Sequence, residues 1–278
     1  MACIIVMNVK YYLKGMRKLI RSLYTAVSGL ITLENKQDTI TNNMTNANTT
    51  GFKGDNLSIK SFDEVMLQNR DKVVNGKNVK QRLGTISLGA KIDTVDTAFT
   101  QGVLKNTDKK TDFAIEGRGF FAIEKQNNNG KEVVYTRDGN FKVGNNGYLM
   151  TTNGDRVLGI NKSTGSLEPI FVGGDNILLD KNNNLFVGNV ATHTLAAADF
   201  QDYNSLEKIG DNYYRGDNPI FNAEVNISQG ALEGSNVSIT NEMVNMITTM
   251  RSFETNQKIV QTIDETLGKA ANEIGSLR

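Results

Sequence analysis

Two runs of apolar residues that step alternately by four and three, one at each end of the chain, constrain its fold more than any other feature. Leu19, Leu23, Ala26, Leu30, Leu33, Gln37, Ile40 and Met44 keep that step. They form a heptad seam with one polar member, which predicts a helix over residues 18–45. At the other end Ile239, Met243, Met246, Met250, Phe253 and Val260 share a stripe with Gln257 as its polar member. Ile263, Leu267, Ala270, Ile274 and Leu277 continue it after one added step of three, a local shift of phase. Ser238 stands where an N-cap belongs, and Glu242 falls in the first turn, where the helix dipole favours negative charge. A lone amphipathic helix is marginal in water, because its stability comes from the face it buries. Each end helix therefore needs a partner, and the nearest is the other, as an antiparallel or loosely crossed pair. The Met-rich face of the second helix can repack against varied neighbours, so leftover apolar stripe asks for other copies of the chain. A head-to-tail contact that does not close produces a helical filament.

Between the helices the period changes from helical to strand-like. Over residues 93–227 short alternating runs are separated by Asn/Gly turns, which predicts a central antiparallel β domain, a meander or irregular barrel. Phe141 and Val143 alternate before GNNG, Tyr148 and Met150 after it, and Asn153-Gly154 is a type I′ hairpin signal. NILLDKNNNLFVGNV repeats the plan with DKNNN as the turn. The balance of 26 glycines to 2 prolines fits, since the turns must then be made by residues that tolerate positive φ. QGVL at 101–104 and QGAL at 229–232 bracket the β region, and are expected to mark neighbouring strands where the chain enters and leaves it.

Motifs for catalysis or cofactors reduce to turns. GRGFFA at 117–122 fits G-x-G-x-x-A, but FFAIEKQ and then NNNG follow, a strand and a turn instead of the helix that a pyrophosphate requires. The glycines are read as a bend between strands. DKNNN begins like a calcium loop, yet Leu185 replaces the turn glycine and Ala191 the bidentate glutamate. TRDGNF could offer Asp138 as an acid, but Asp-Gly is read as a hairpin turn. His193 is the one histidine and is read as a strand or surface residue, and Cys3 alone allows no intramolecular disulfide or Cys-based zinc site. No catalytic, cofactor or metal residues are assigned, and the chain is expected not to be an enzyme. The six N-x-[ST] matches, at Asn43, Asn48, Asn56, Asn161, Asn226 and Asn236, are read as chance in a chain rich in Asn and Thr.

A net charge of +1 gives no electrostatic reason to expect nucleic acid or an acidic membrane. ACIIVM precedes Lys10, Lys14, Arg17 and Lys18, the reverse of the order in a secretory signal, and Met16 would suit as the start of the folded protein. Residues 1–15 are therefore read as an extension without a structural role.

Three blocks carry a resemblance: SLYTAVSGLITLENKQDTITNNMTNANTTGFK, then AIEGRGFFAIE with YTRDGNF and GYLMTTNGDRVLG, then QGALEGSNVSITNEMVNMITTMRSFETNQKIVQTIDETLGKA. In this order, and over nearly everything from Met16 on, they resemble the bacterial flagellar basal-body rod protein family, its distal and proximal members most closely. The departures are residues 1–15 and the segment from Asp63 to Leu88. The resemblance implies a structural axial protein, exported unfolded by the flagellar export apparatus and assembled with itself and with neighbouring rod and hook proteins in the basal body. It takes no cofactor and no small-molecule substrate. Leu23, Leu30, Ile40 and Met44 match the family's N-terminal core helix; Asn42, Asn43, Asn46, Thr50, Gly51 and Phe52 match the signature after it. Met243, Val244, Met246, Ile247, Phe253, Asn256 and Val260 match the C-terminal core helix, and Met250, Ile263 and Leu267 complete the expected assembly face.

The expected fold is α+β: terminal amphipathic helices forming a coiled-coil-like pair around a central antiparallel β domain. The divisions are 1–15 extension, 16–50 core helix and Asn/Thr-rich exit, 51–92 variable linker or β extension, 93–227 β domain, and 228–278 return linker and second helix. TNNMTNANTT is read as the exit from an assembly core, with Gly51 turning the chain and Phe52 anchoring it, because Thr and Asn side chains compete for the helix backbone. Two other readings are a hook protein, disfavoured by the short β region, and a carbohydrate-binding or hydrolytic module on a helical stalk. With no Trp and 7% aromatic residues, the latter lacks the usual sugar-stacking groups.

Overall fold

The computed structural model describes residues 2–275 apart from 75–76, 128–129, 175–176, 189 and 222–224; for 2–19, 69–80, 127 and 273–275 it describes backbone alone. The chain divides into two units: Met1–Asn42, Asn56–Asp96 and Thr240–Arg278, and Asn43–Asp55 with Thr97–Ile239.

The first unit holds most of two long helices, α1 (Ala2–Thr45) and α2 (Ile239–Gly275). α1 ends at the predicted residue but begins at Ala2: residues 2–15 contain no proline to stop it, so the extension given no role continues the helix. The helices run antiparallel. Gly29 lies against Asn256, and Ser22, Thr25 and Ala26 share a cavity lining with Asn256, Ile259 and Ile263. Of the α1 seam, Ala26 and Ile40 are buried and Leu23, Leu30, Leu33, Gln37 and Met44 half-buried, and of Leu19 only the backbone is described.

On α2 the covered seam differs from the expected stripe. Glu242, Met246, Thr249, Phe253, Asn256, Val260, Ile263, Leu267 and Ala270 are buried or half-buried, one unbroken alternation of four and three with no shift of phase. Met243 and Met250 turn outward, 48% and 46% exposed, with Glu242 and Thr249 in the seam beside them, and Asn256 instead of Gln257 is its polar member further on. At Gly29 a Cβ would sit 2.9 Å from the Asn256 amide nitrogen, so the asparagine side chain packs directly on the α1 backbone there. Leu277 lies outside the described residues, and of Ile274 only the backbone is described. The same unit carries the segment after the exit as a strand pair, Asp55–Ser61 with Ala90–Thr97, and a long hairpin, Val65–Val74 with Lys77–Ile86.

The second unit is an antiparallel β domain. Its spine is Phe120–Asn127, with Gly130–Thr136 on one side and Arg156–Asn161 on the other. Val190–Leu195, Asn184–Val187 and Ile177–Leu179 extend the sheet past Arg156–Asn161; Tyr213–Arg215 and Glu207–Gly210 extend it past Gly130–Thr136. Both faces of the spine are covered, Phe121 and Ile123 by one cluster and Phe120 and Ala122 by another, which is why FFAI reads as a continuous apolar run instead of an alternation.

The predicted turns form with two corrections. GNNG joins Phe141–Val143 to Leu149–Thr151, and DKNNN joins Ile177–Leu179 to Asn184–Val187 with Asn183 at φ +59°. Gly117 and Gly119 take φ +89° and +125° at the bend between Phe113–Glu116 and Phe120–Asn127. Asn128 and Asn129, in the turn read from NNNG, lie outside the described residues. Asn153-Gly154 does close a hairpin, but only Gly154 has positive φ and Thr151 N donates to Asp155 O across it, so the turn is longer than type I′. Asp138-Gly139 closes no hairpin: Gly130–Thr136 before it and Phe141–Val143 after it pair with other strands. The turn is instead an Asx turn, Asp138 Oδ1 accepting from Asn140 N.

Candidate functional site: the exit junction and the helix faces

The two tetrapeptides flanking the β domain become neighbours. Leu104–Asn106 pairs antiparallel with Ala231–Glu233, setting Leu104 opposite Glu233. Gly102 and Gly234 touch so closely that a Cβ on Gly102 would lie 2.0 Å from Gly234 O. Gly102 of the first tetrapeptide and Gly234, just after the second, therefore permit close approach of the two strands by which the chain enters and leaves the β unit.

The Asn/Thr exit is seated on that pair. After Thr45 the helix gives way to turns, with Thr49 N donating to Asn46 O and Phe52 N to Thr49 O. Asn43 is buried and works as a two-point clamp: its Nδ2 donates to Asp55 O and its Oδ1 accepts from Asp55 N, both at 2.9 Å. Gly51, at φ +67°, donates to Glu233 O at 2.7 Å and lies against the Arg137–Asp138 backbone. Phe52 is 3% exposed under the Lys208 ammonium, 4.4 Å from its ring centre. Thr50 donates to Asp138 Oδ1 at 2.6 Å. Burial raises the Asp138 pKa, the Thr50 and Asn140 bonds oppose this, and Asp112 pushes it further up.

Behind Phe52 lies a cluster of charges that the sequence reading did not anticipate. Lys53 and Glu233 have side chains 0% exposed and Arg137 2%. Glu233 Oε1 accepts from Lys53 Nζ at 2.6 Å and from Gly102 N at 2.9 Å, and its Oε2 from Arg137 at 3.3 Å. Lys53 also donates to Thr100 O and Arg137 to Gly117 O, both at 2.7 Å. Two cations thus share one carboxylate. Burial lowers the Lys53 pKa, Glu233 counters it, and Arg137 lowers it again.

Of the residues named from the sequence, Asn43, Gly51 and Phe52 meet in this junction. Asn46 is half-buried beside it, bonded by its Oδ1 to Thr49, Met44 is half-buried and Asn42 faces outward. Leu23, Leu30, Ile40, Met246, Phe253, Val260, Ile263 and Leu267 lie on the covered faces of their helices, and Met243 and Met250 do not. Outside those faces α1 presents Tyr24, Val27 and Ile31, and α2 presents Met243, Val244, Ile247 and Met250. A cavity of about 630 Å³ in the helical unit is walled by Ala26, Leu67, Leu88, Ile259 and Ile263, without converging acids or a histidine. Among the described residues no group of three or more His, Cys, Asp or Glu is placed to hold a metal ion, and no helix is long and apolar enough to cross a membrane.

Three family models match these parts in order. "Flagella basal body rod protein" covers residues 23–53, the C-terminal half of α1 and the exit; "Flagellar hook protein FlgE/F/G D1 domain" covers 114–192; "Flagellar basal body rod FlgEFG protein C-terminal" covers 228–273, the return strand and α2. The flagellar basal-body rod protein FlgG of Bacillus subtilis is 32% identical over 274 residues, 91% of this chain and 99% of its own length. The rod protein FlgF of Caulobacter vibrioides is also 32% identical, over 92% of this chain and 98% of its own. The hook-basal body complex protein FlhO of Bacillus subtilis is 29% identical over 93% of this chain and 100% of its own. On this likeness along nearly the whole chain, in helices, exit and β unit alike, it belongs to the flagellar basal-body rod protein family.

Proposed function

We propose that the chain is a structural, non-enzymatic subunit of the bacterial flagellar basal-body rod, exported to the cell envelope and built through its terminal helices into a helical axial structure. The observation that carries this is the apolar surface left over once α1 and α2 have met. Tyr24 is 69% exposed and Ile31 52% on α1; Val244 is 56% and Ile247 51% on α2. Burying such surface is worth about 25 cal/mol per Å², so helices that leave it bare gain by packing on one another between copies. Leu23, Leu30, Ile40, Met246, Phe253, Val260, Ile263 and Leu267 then hold the helices of one copy, while Met243 and Met250 serve contacts between copies. Asn42, Asn43, Asn46, Gly51 and Phe52 make the hinge-like exit to the β unit. Its partners are further copies of itself, neighbouring rod and hook proteins and the export apparatus; nucleic acid, cofactor and small-molecule substrate have no part.

The test removes the helical surface and leaves the β unit. Deleting residues 240–278, or placing aspartate at Val244 and Ile247, is expected to abolish motility and incorporation into basal bodies, with the tyrosine signals of the β unit unchanged. Full motility with either variant would refute the proposal.

A further inference from the structure

We infer that Glu233 is a closing latch: the exit segment Gly51–Gly54 becomes buried only when the return strand Ala231–Glu233 is in place, so both ends of the β unit seat in one step. The inference goes beyond the assembly role and does not depend on it. Glu233 touches four residues of the junction at once. Its carboxylate meets Lys53 on the exit, Gly102 on the incoming segment and Arg137 on the turn that follows Gly130–Thr136, and its own carbonyl accepts from Gly51 N. The groups facing Lys53 Nζ are Glu233, Arg137 and Thr100 O; Lys208 and Asp55 pair with each other nearby, Lys208 also donating to Lys53 O.

The charge count gives the latch its direction. Without Glu233, two cations would be buried with one backbone carbonyl apiece, Thr100 O and Gly117 O, and an uncompensated buried charge is far costlier than a missing pair. Without Lys53, Arg137 and Glu233 would remain as a matched pair. The exit therefore cannot close ahead of residue 233, which follows Lys53 by 180 positions. A chain delivered N-terminus first keeps Gly51–Gly54 open until the β unit has wholly arrived.

The test is amide exchange in the full-length chain, read at Phe52 and Asp55. Their N–H groups bond to Thr49 O and Asn43 Oδ1, inside the exit, so their protection does not depend trivially on the return strand. In E233Q their protection is expected to fall at least a hundredfold, and in K53M by no more than about tenfold. Adding K53M and R137M to E233Q is expected to restore it, since the glutamine can still accept from Gly102 N. In pulse-labelled refolding of the unmodified chain, Phe52 and Asp55 should become protected at the same rate as Gly234, which donates to Val103 O. Wild-type protection in E233Q, equal losses in E233Q and K53M, or exit amides protected tenfold faster than Gly234 would each overturn the latch. Should E233Q fail to fold at all, the triple variant decides: recovered protection supports it, and none overturns it.

Discussion

Alanine at Gly51 isolates what the exit asks of one residue. At φ +67° a side chain is strained by roughly 1–2 kcal/mol wherever it lies. Here the added Cβ would also sit 2.4 Å from Asp138 N and 2.5 Å from Arg137 C, where ordinary contact begins at 3.4 Å. Both obstacles are backbone, and the turn they belong to is fixed by Asp138 N donating to Thr136 Oγ1 and Asn140 N to Asp138 Oδ1. The gap must open by about 1 Å, an overpacking cost of roughly 1–3 kcal/mol, so G51A should cost roughly 2–5 kcal/mol. Gly154 is the control: its φ is +95° and nothing lies within 4 Å of its Cβ position, so G154A should show the roughly 1–2 kcal/mol of strain alone. With no tryptophan in the chain, the buried Tyr135, Tyr213 and Tyr214 report unfolding by near-UV circular dichroism. For a unit of this size each kcal/mol moves Tm by roughly 2–4 °C, so G51A should melt several degrees below G154A. Melting of the two variants within a degree would refute the close-approach argument.

Three further perturbations test the junction and the helix pair. N43A orphans Asp55 N and Asp55 O together; at roughly 1–3 kcal/mol for each unsatisfied buried group the ceiling is about 6 kcal/mol, and because these groups are part-buried the cost in urea unfolding should fall toward about 2 kcal/mol. Asp138 has a folded-state pKa raised above its ordinary 3.8 by burial, so folding takes up a proton between those two values. Its contribution to stability should grow as pH falls through the raised value and level off below 3.8; D138N should abolish that slope, and an unchanged pH profile in D138N would count against the assignment. Leucine at Gly29 must displace Asn256, 2.9 Å from the Cβ position, and should cost roughly 1–3 kcal/mol of helix pairing, seen as lost far-UV helicity with the tyrosine melt unchanged.

The end helices were legible because a heptad seam is a one-dimensional signal, and the hairpins because Asn and Gly announce positive φ. Pairing of QGVL with QGAL could also be read, since strands that bracket one domain tend to meet. The covered positions of α2 were not legible from hydrophobicity, because Met243 and Met250 are more apolar than Glu242 and Thr249, yet the latter are the ones covered within one copy. Lys53, Arg137 and Glu233 were missed because charged residues far apart in sequence read as solvated surface. The available signal was position, Lys53 closing TTGFK and Glu233 closing QGALE, each directly after residues that permit close backbone approach. Asp138-Gly139 shows the opposite failure: a strong turn signal gives the bend without saying which strands it joins.

The central claim, that the chain is a rod subunit built into the axial structure through its terminal helices, is tested most directly by an electron cryomicroscopy reconstruction of basal bodies carrying this chain. The account predicts the chain in the rod, with α1 and α2 in contact with neighbouring subunits and Val244 and Ile247 packed against one of them. A rod without the chain, or one in which Val244 and Ile247 remain bare, would contradict it.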